Sequence, residues 1–92
     1  MAETNEDKIL GLVKATLGYK SSVRDELLKV IVNSVIDELE IQKRITLNYE
    51  NAEHLMFIVD YSVFRYENKG GGTIPRNLEY RLRNLIIKFG GA

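Results

Sequence analysis

Apolar residues recur every three or four positions in four separate stretches of this chain, a spacing typical of helices that bury one face. No convincing run shows the alternation of apolar and polar residues that a half-buried strand requires; residues 44–47 could be a short extended piece, which we interpret as a connector. The spacing predicts an all-α fold, a small bundle of about four helices in a single domain over residues 1–92. A chain of this size buries only about 60–65% of its unfolded surface, so contact with other chains would add stability.

Helix boundaries follow from capping residues at the ends of the periodic stretches. Three of the predicted helices span about residues 5–17, 51–68 and 76–89, and the second helix has an apolar stripe that runs from Leu28 to Leu39. A connector is expected over 43–50 and a flexible, glycine-rich loop over 68–74. Gly18 is a natural stop for the first helix. Ser22 can cap the second helix, with Asp25 in place of the capping-box Glu.

The second helix has an unusually wide apolar stripe. Its main positions are Leu28, Ile31, Val32, Val35 and Leu39, and Leu27, Val30 and Ile36 widen the stripe on both sides. A stripe this wide indicates contact with more than one neighbour. The sequence leaves open whether those neighbours belong to the same chain or to another copy.

The third helix carries two apolar stripes. One contains Ala52, Leu55, Met56, Val59, Val63 and Tyr66, and the other contains Phe57, Tyr61 and Phe64. The aromatic stripe fits either the core or a protein interface, where aromatic residues are enriched. Since a small bundle has limited interior for two stripes, we take Phe57, Tyr61 and Phe64 as candidate interface residues.

Few residues in the chain suit catalysis or metal binding. There is no Cys, and His54 is the only His. A lone His cannot build a usual zinc site, and nucleophilic catalysis needs an activated nucleophile beside a base. We expect His54 to be partly exposed near a helix start, and Asp37, Glu38 and Glu40 to form a solvated face. The sequence predicts no enzyme activity, no catalytic or metal site and no cofactor.

Charge is divided unevenly along a chain whose net charge is zero. Residues 1–60 contain seven basic and eleven acidic residues, a net charge of −4, whereas residues 61–92 contain six basic and two acidic residues, a net charge of +4. The split indicates either two independently solvated surfaces or a contact between the acidic part of one copy and the basic part of the next. Contacts between the acidic part of one copy and the basic part of the next are head-to-tail contacts, which can close into rings.

The last predicted helix is basic. Arg76, Arg81, Arg83 and Lys88 accompany Tyr80, and Glu79 with Arg83 is a favourable i, i+4 pair. The helix suits docking to an acidic protein partner. It also fits the recognition helix of a small DNA-binding helix-turn-helix regulator, which is the alternative function, although the chain lacks the positive excess usual in nucleic-acid binders.

The last third of the chain resembles the small head–tail connector (adaptor) proteins of long-tailed double-stranded-DNA bacteriophages. Tyr66-Glu67-Asn68-Lys69 and the segment from Ile74-Pro75-Arg76 to Arg81-Leu82-Arg83 carry the resemblance. The order of predicted helices over about residues 7–89 also follows that family. The signatures are structural and not catalytic.

The resemblance implies a structural virion protein in the phage neck, made in the host cytoplasm without membrane contact. About twelve copies would form a closed ring. The ring would lie between a portal protein and a stopper or tail-completion protein, and phage DNA would pass through it without sequence-specific binding. The C-terminal segment would then be a candidate portal-docking element. Its candidate docking residues, which lie off the buried stripe, are Arg76, Tyr80, Arg83, Ile87 and Lys88.

Overall fold

A computed structural model describes residues 5–68 and 72–90, and within these ranges the protein is all-α, as predicted. Its helices are α1 (Asn5–Leu17), α2 (Asp25–Asp37), α3 (Ala52–Glu67) and α4 (Arg76–Phe89). A π-helical turn, Glu38–Gln42, extends α2. The predicted bounds of α1 and α4 are confirmed, and those of α3 differ by one residue at each end.

Helices α1, α2 and α3 pack against one another and enclose the core. The most deeply buried apolar side chains are Ile9, Val13, Leu28, Val32, Val35, Leu39, Phe57, Ile58, Val59 and Leu85. The molecule measures 40 × 35 × 19 Å, so its thin direction is only about two helix diameters. Such a flat arrangement leaves one side of most helices open to solvent.

The two predicted caps around the α1–α2 link have different outcomes. Gly18 follows the last residue of α1 with a φ of +79°, and the Tyr19 N–H bonds the Lys14 carbonyl at 2.9 Å, which ends the helix as predicted. The Ser22 cap is wrong. A turn over residues 21–24 precedes α2, so the N-cap position falls on Arg24, which makes no side-chain capping bond.

The connector after α2 is tied to the end of α4. The π-helical turn ends with the Ile45 N–H donating to the Leu39 carbonyl at 2.9 Å. Ile45, which is buried, then forms an isolated bridge with Gly90, and the Thr46 N–H donates to the Phe89 carbonyl at 2.9 Å. This contact fixes the C-terminal end of α4 against the rest of the domain.

Two further expectations concern the loop and membrane contact. Residues 69–71 of the predicted loop lie outside the described residues. None of the helices in the described ranges has the length and apolar content of a bilayer-spanning segment.

Candidate assembly surface

Helix α4 is held by a single helical neighbour. Among the described residues its only helix–helix packing is with α3, into which it buries Leu78 and Leu85. A helix with one partner has a buried side and an outer side. The orientation of α4 on α3 therefore decides which of its side chains lie on the outer side.

An ion pair contributes to that orientation. The Nη1 atom of Arg81 lies 2.8 Å from Oδ2 of Asp60 on α3, and the guanidinium carbon lies 5.5 Å from the centre of the Phe57 ring. Arg81 therefore faces α3, unlike Arg76 and Arg83, the other arginines of α4.

The C-terminal end of α4 rests on His54, which is fully buried and not partly exposed as expected. The Nδ1 atom of His54 accepts the Asn48 backbone N–H at 2.9 Å, and its ring meets the Phe89 ring edge-on with centres 4.3 Å apart. The prediction failed because the connector folds back over the start of α3, which local sequence does not reveal. His54 is a packing residue between connector, α3 and α4.

Four of the five candidate docking residues on α4 share one solvent-exposed stripe. Arg76, Tyr80, Arg83 and Ile87 follow at i, i+4, i+7 and i+11 and are all exposed. We call these four residues the α4 outer face. Tyr80 is 66% exposed and Ile87 is 74% exposed. The predicted ion pair between Glu79 and Arg83 is confirmed, at 3.3 Å.

Lys88, the fifth candidate, lies at the edge of the buried side. Its Nζ atom approaches Oε2 of Glu53 on α3 at 3.9 Å. Lys88 is exposed but is not part of the α4 outer face.

Two of the three candidate aromatic residues on α3 belong to the core, which corrects the interface prediction for them. Phe57 has no exposed surface and Tyr61 is buried. Both rings lie on the side of α3 that the neighbouring elements cover, so the interior accommodates more of the second stripe than expected. Phe64 is half-buried and lines an open groove with Leu27, Ile31 and Ile74.

Glu38 is not part of a solvated face, because it joins a polar cluster with α3. It accepts hydrogen bonds from the Tyr61 hydroxyl at 2.8 Å and from the Arg65 guanidinium. Burial alone would raise the pKa of Glu38, but hydrogen bonds from Arg65 and Tyr61 and the positive charges of Arg65 and Lys43 lower it below its usual value. Burial, followed by the bond to Glu38, raises the pKa of Tyr61. The cluster ties the π-helical turn to α3.

A second exposed stripe, not predicted as a site from the sequence, lies on α2. Leu27 and Val30 belong to it, and Val30 is 64% exposed; Val23, in the turn just before α2, is also exposed. Glu26 and Asp37 are exposed on the same side of the helix. We call these five residues the α2 outer face. The width of the apolar stripe on α2 was the sequence signal for it.

Comparison of this chain with protein families, with curated proteins and with solved structures finds no match.

Proposed function

We propose that this protein is a structural assembly subunit of the phage head–tail connector type, which works through protein–protein contacts. The α4 outer face carries the proposal. It places two large apolar side chains, Tyr80 and Ile87, in solvent, where they alternate along the helix with Arg76 and Arg83. Tyr and Arg are the residue types that most often dominate binding energy at interfaces.

The anchoring of α4 also supports docking. The Arg81–Asp60 ion pair, the buried Leu78 and Leu85, and the Phe89 contact with His54 hold the helix in one orientation. A surface held in place before binding loses less conformational entropy when a partner arrives. The α4 outer face is thus presented as a preorganised surface.

The charge balance suits a subunit that surrounds DNA without gripping it. The chain is neutral overall, whereas a strongly basic channel wall would bind the passing phosphates and release their counterions. In the proposed ring, copies of this chain contact each other, a portal protein on one side and a stopper or tail-completion protein on the other.

A DNA-binding regulator is the second candidate, because Arg76 and Arg83 are both exposed on one side of α4. Two observations weigh against it. Glu79 lies 3.3 Å from Arg83 and offsets its charge, and Ile87 places an apolar side chain on the same surface. We therefore favour a protein as the partner of α4.

Electron microscopy of the purified protein, alone and with a portal protein, tests the proposal. We expect rings in at least one of the two samples, and little shift of duplex DNA in a gel at physiological salt. Tight, sequence-specific DNA binding by a dimer would instead establish the regulator.

A further inference from the structure

We infer that the α4 outer face of one copy docks on the α2 outer face of the next copy. This inference rests on the proposed function, since it assumes that the chain assembles with itself. It adds which two surfaces of the chain meet.

The α2 outer face is apolar with an acidic border. Val23, in the turn before α2, is 86% exposed, and Leu27 and Val30 are exposed on the helix that follows. Within the described part of the chain, neither Glu26 nor Asp37 forms an ion pair. An exposed apolar stripe of this kind commonly marks an interaction site. The two free carboxylates indicate a cationic partner.

The α4 outer face has the complementary composition. Tyr80 and Ile87 are its apolar residues, and Arg76 and Arg83 are its cations. Arg76 forms no ion pair in the described residues, and the exposed pair of Arg83 with Glu79 contributes little stability. Both arginines can therefore meet carboxylates of a partner without breaking a strong contact.

The arginines of the α4 outer face span a shorter length of helix than the carboxylates of the α2 outer face. Arg76 and Arg83 are seven positions apart, about 10 Å along a helix axis. Glu26 and Asp37 are eleven positions apart, about 16 Å. The two arginines therefore fit within the length of helix that the two carboxylates span.

Placement in the fold lets one molecule use both faces at once. In the described structure α2 and α4 do not pack against each other, although both pack on α3. Each copy can therefore offer its α4 outer face to one neighbour and receive another neighbour on its α2 outer face. Contacts of this kind are heterologous, and they close into a ring when the rotation between copies allows it.

Like charges disfavour the symmetrical alternatives. Pairing of two α4 outer faces would bring Arg76 and Arg83 of both copies together, and pairing of two α2 outer faces would bring four carboxylates together. Juxtaposed like charges at an interface are costly. The head-to-tail contact avoids both arrangements.

A charge-swap experiment tests the inference by sedimentation velocity. One full-length variant carries R76E and R83E, and the other carries E26K and D37K. Each variant alone brings like charges together at every contact, so we expect its self-association to weaken by about tenfold or more relative to wild type. Mixing the two variants gives opposite charges at every contact between unlike copies, so we expect assembly to return, with the two chains in equal amounts.

A second mixture controls for net charge. A K8E/A15E/T16E variant has the same net charge as R76E/R83E, but its changes lie on exposed positions of α1. We expect it to self-associate nearly as wild type does, and mixing it with E26K/D37K to restore assembly less than R76E/R83E does. If the two mixtures assemble equally well, net charge and not the pairing of faces explains the restored assembly, and the inference is overturned.

Two other outcomes separate the inference from the proposed function. If wild type assembles and the swapped variants assemble equally well alone, the pairing of faces is wrong while the assembly function stands. If wild type remains a monomer up to about 1 mM, both with and without a portal protein, self-assembly itself is rejected and the inference falls with it.

Discussion

Arg81 on α4 forms a 2.8 Å ion pair with Asp60 on α3. The pair lies between the buried residues of α4 and its solvent-exposed side. It directs Arg81 toward α3, while Arg76 and Arg83 stay exposed on the α4 outer face. The surface available to a partner therefore depends on an interaction inside the subunit.

Replacing Asp60 with Asn removes the charge of this pair. Both side chains are about one-third exposed, so we expect a loss of only about 0.5–1 kcal/mol in the free energy of unfolding. We also expect the amide hydrogens of α4 to exchange faster in the variant than in wild type, and those of α1 to be less affected. Glu79→Gln on the exposed pair is the matched control and should change neither quantity measurably. Equal exchange in α4 of Asp60→Asn and wild type would show that the pair does not hold the helix.

Helix α2 offers a paired test of its buried and exposed sides. Val35 has no exposed surface, so Val35→Asp buries an unpaired charge and should unfold the domain. Val30→Asp makes the same change on the exposed side and should leave the circular dichroism spectrum unchanged while weakening self-association. A Val35→Asp variant as stable as wild type would show that this side of α2 is not core.

His54 is expected to contribute to stability through packing. His54→Ala removes a fully buried ring and leaves the Asn48 N–H without its acceptor. We expect a loss of about 2–3 kcal/mol in the free energy of unfolding, measured with urea. Glu53→Ala, at the neighbouring exposed position, should cost much less. A similar loss in both variants would argue against a specific role for the buried imidazole.

Glu38 should make stability depend on acidic pH. Its pKa in the folded state is lowered from the ordinary value of 4.5, so the unfolded chain binds the proton more readily. The stabilisation is complete above pH 4.5 and is lost as the pH falls through the lower, folded-state pKa. Glu38→Gln should be less stable at pH 7 and should lose less stability than wild type as the pH falls below 4.5. Identical pH profiles for the two proteins would contradict this account.

Local sequence signals predicted the ends of helices well where one nearby residue determines the backbone conformation. Gly18 ends α1 because its positive φ is accessible to glycine at little cost, and Pro75 precedes α4 because its fixed φ suits a helix start. The helical spacing of Leu78 and Leu85, seven positions apart, places both on the buried side of α4.

The remaining features depend on contacts between distant segments. His54 is buried because the connector and Phe89 close over it, and Glu38 is partly buried because the π-helical turn brings it to Tyr61 and Arg65. Helical periodicity also could not show that Val30 stays exposed while Val32 is buried within the same wide stripe. The packing of α2 against α1 and α3 decides which side of this stripe is buried and which side is exposed.

The central claim is that the α4 outer face mediates assembly, and its most direct test is molar mass measured by light scattering over a range of concentrations. We expect the mass of wild type to rise well above the 10.5 kDa of one chain, and the mass of a folded Tyr80→Ala/Ile87→Ser variant to stay near that value. A wild-type mass of one chain at every concentration, both with and without a portal protein, or a variant as heavy as wild type, would contradict the claim.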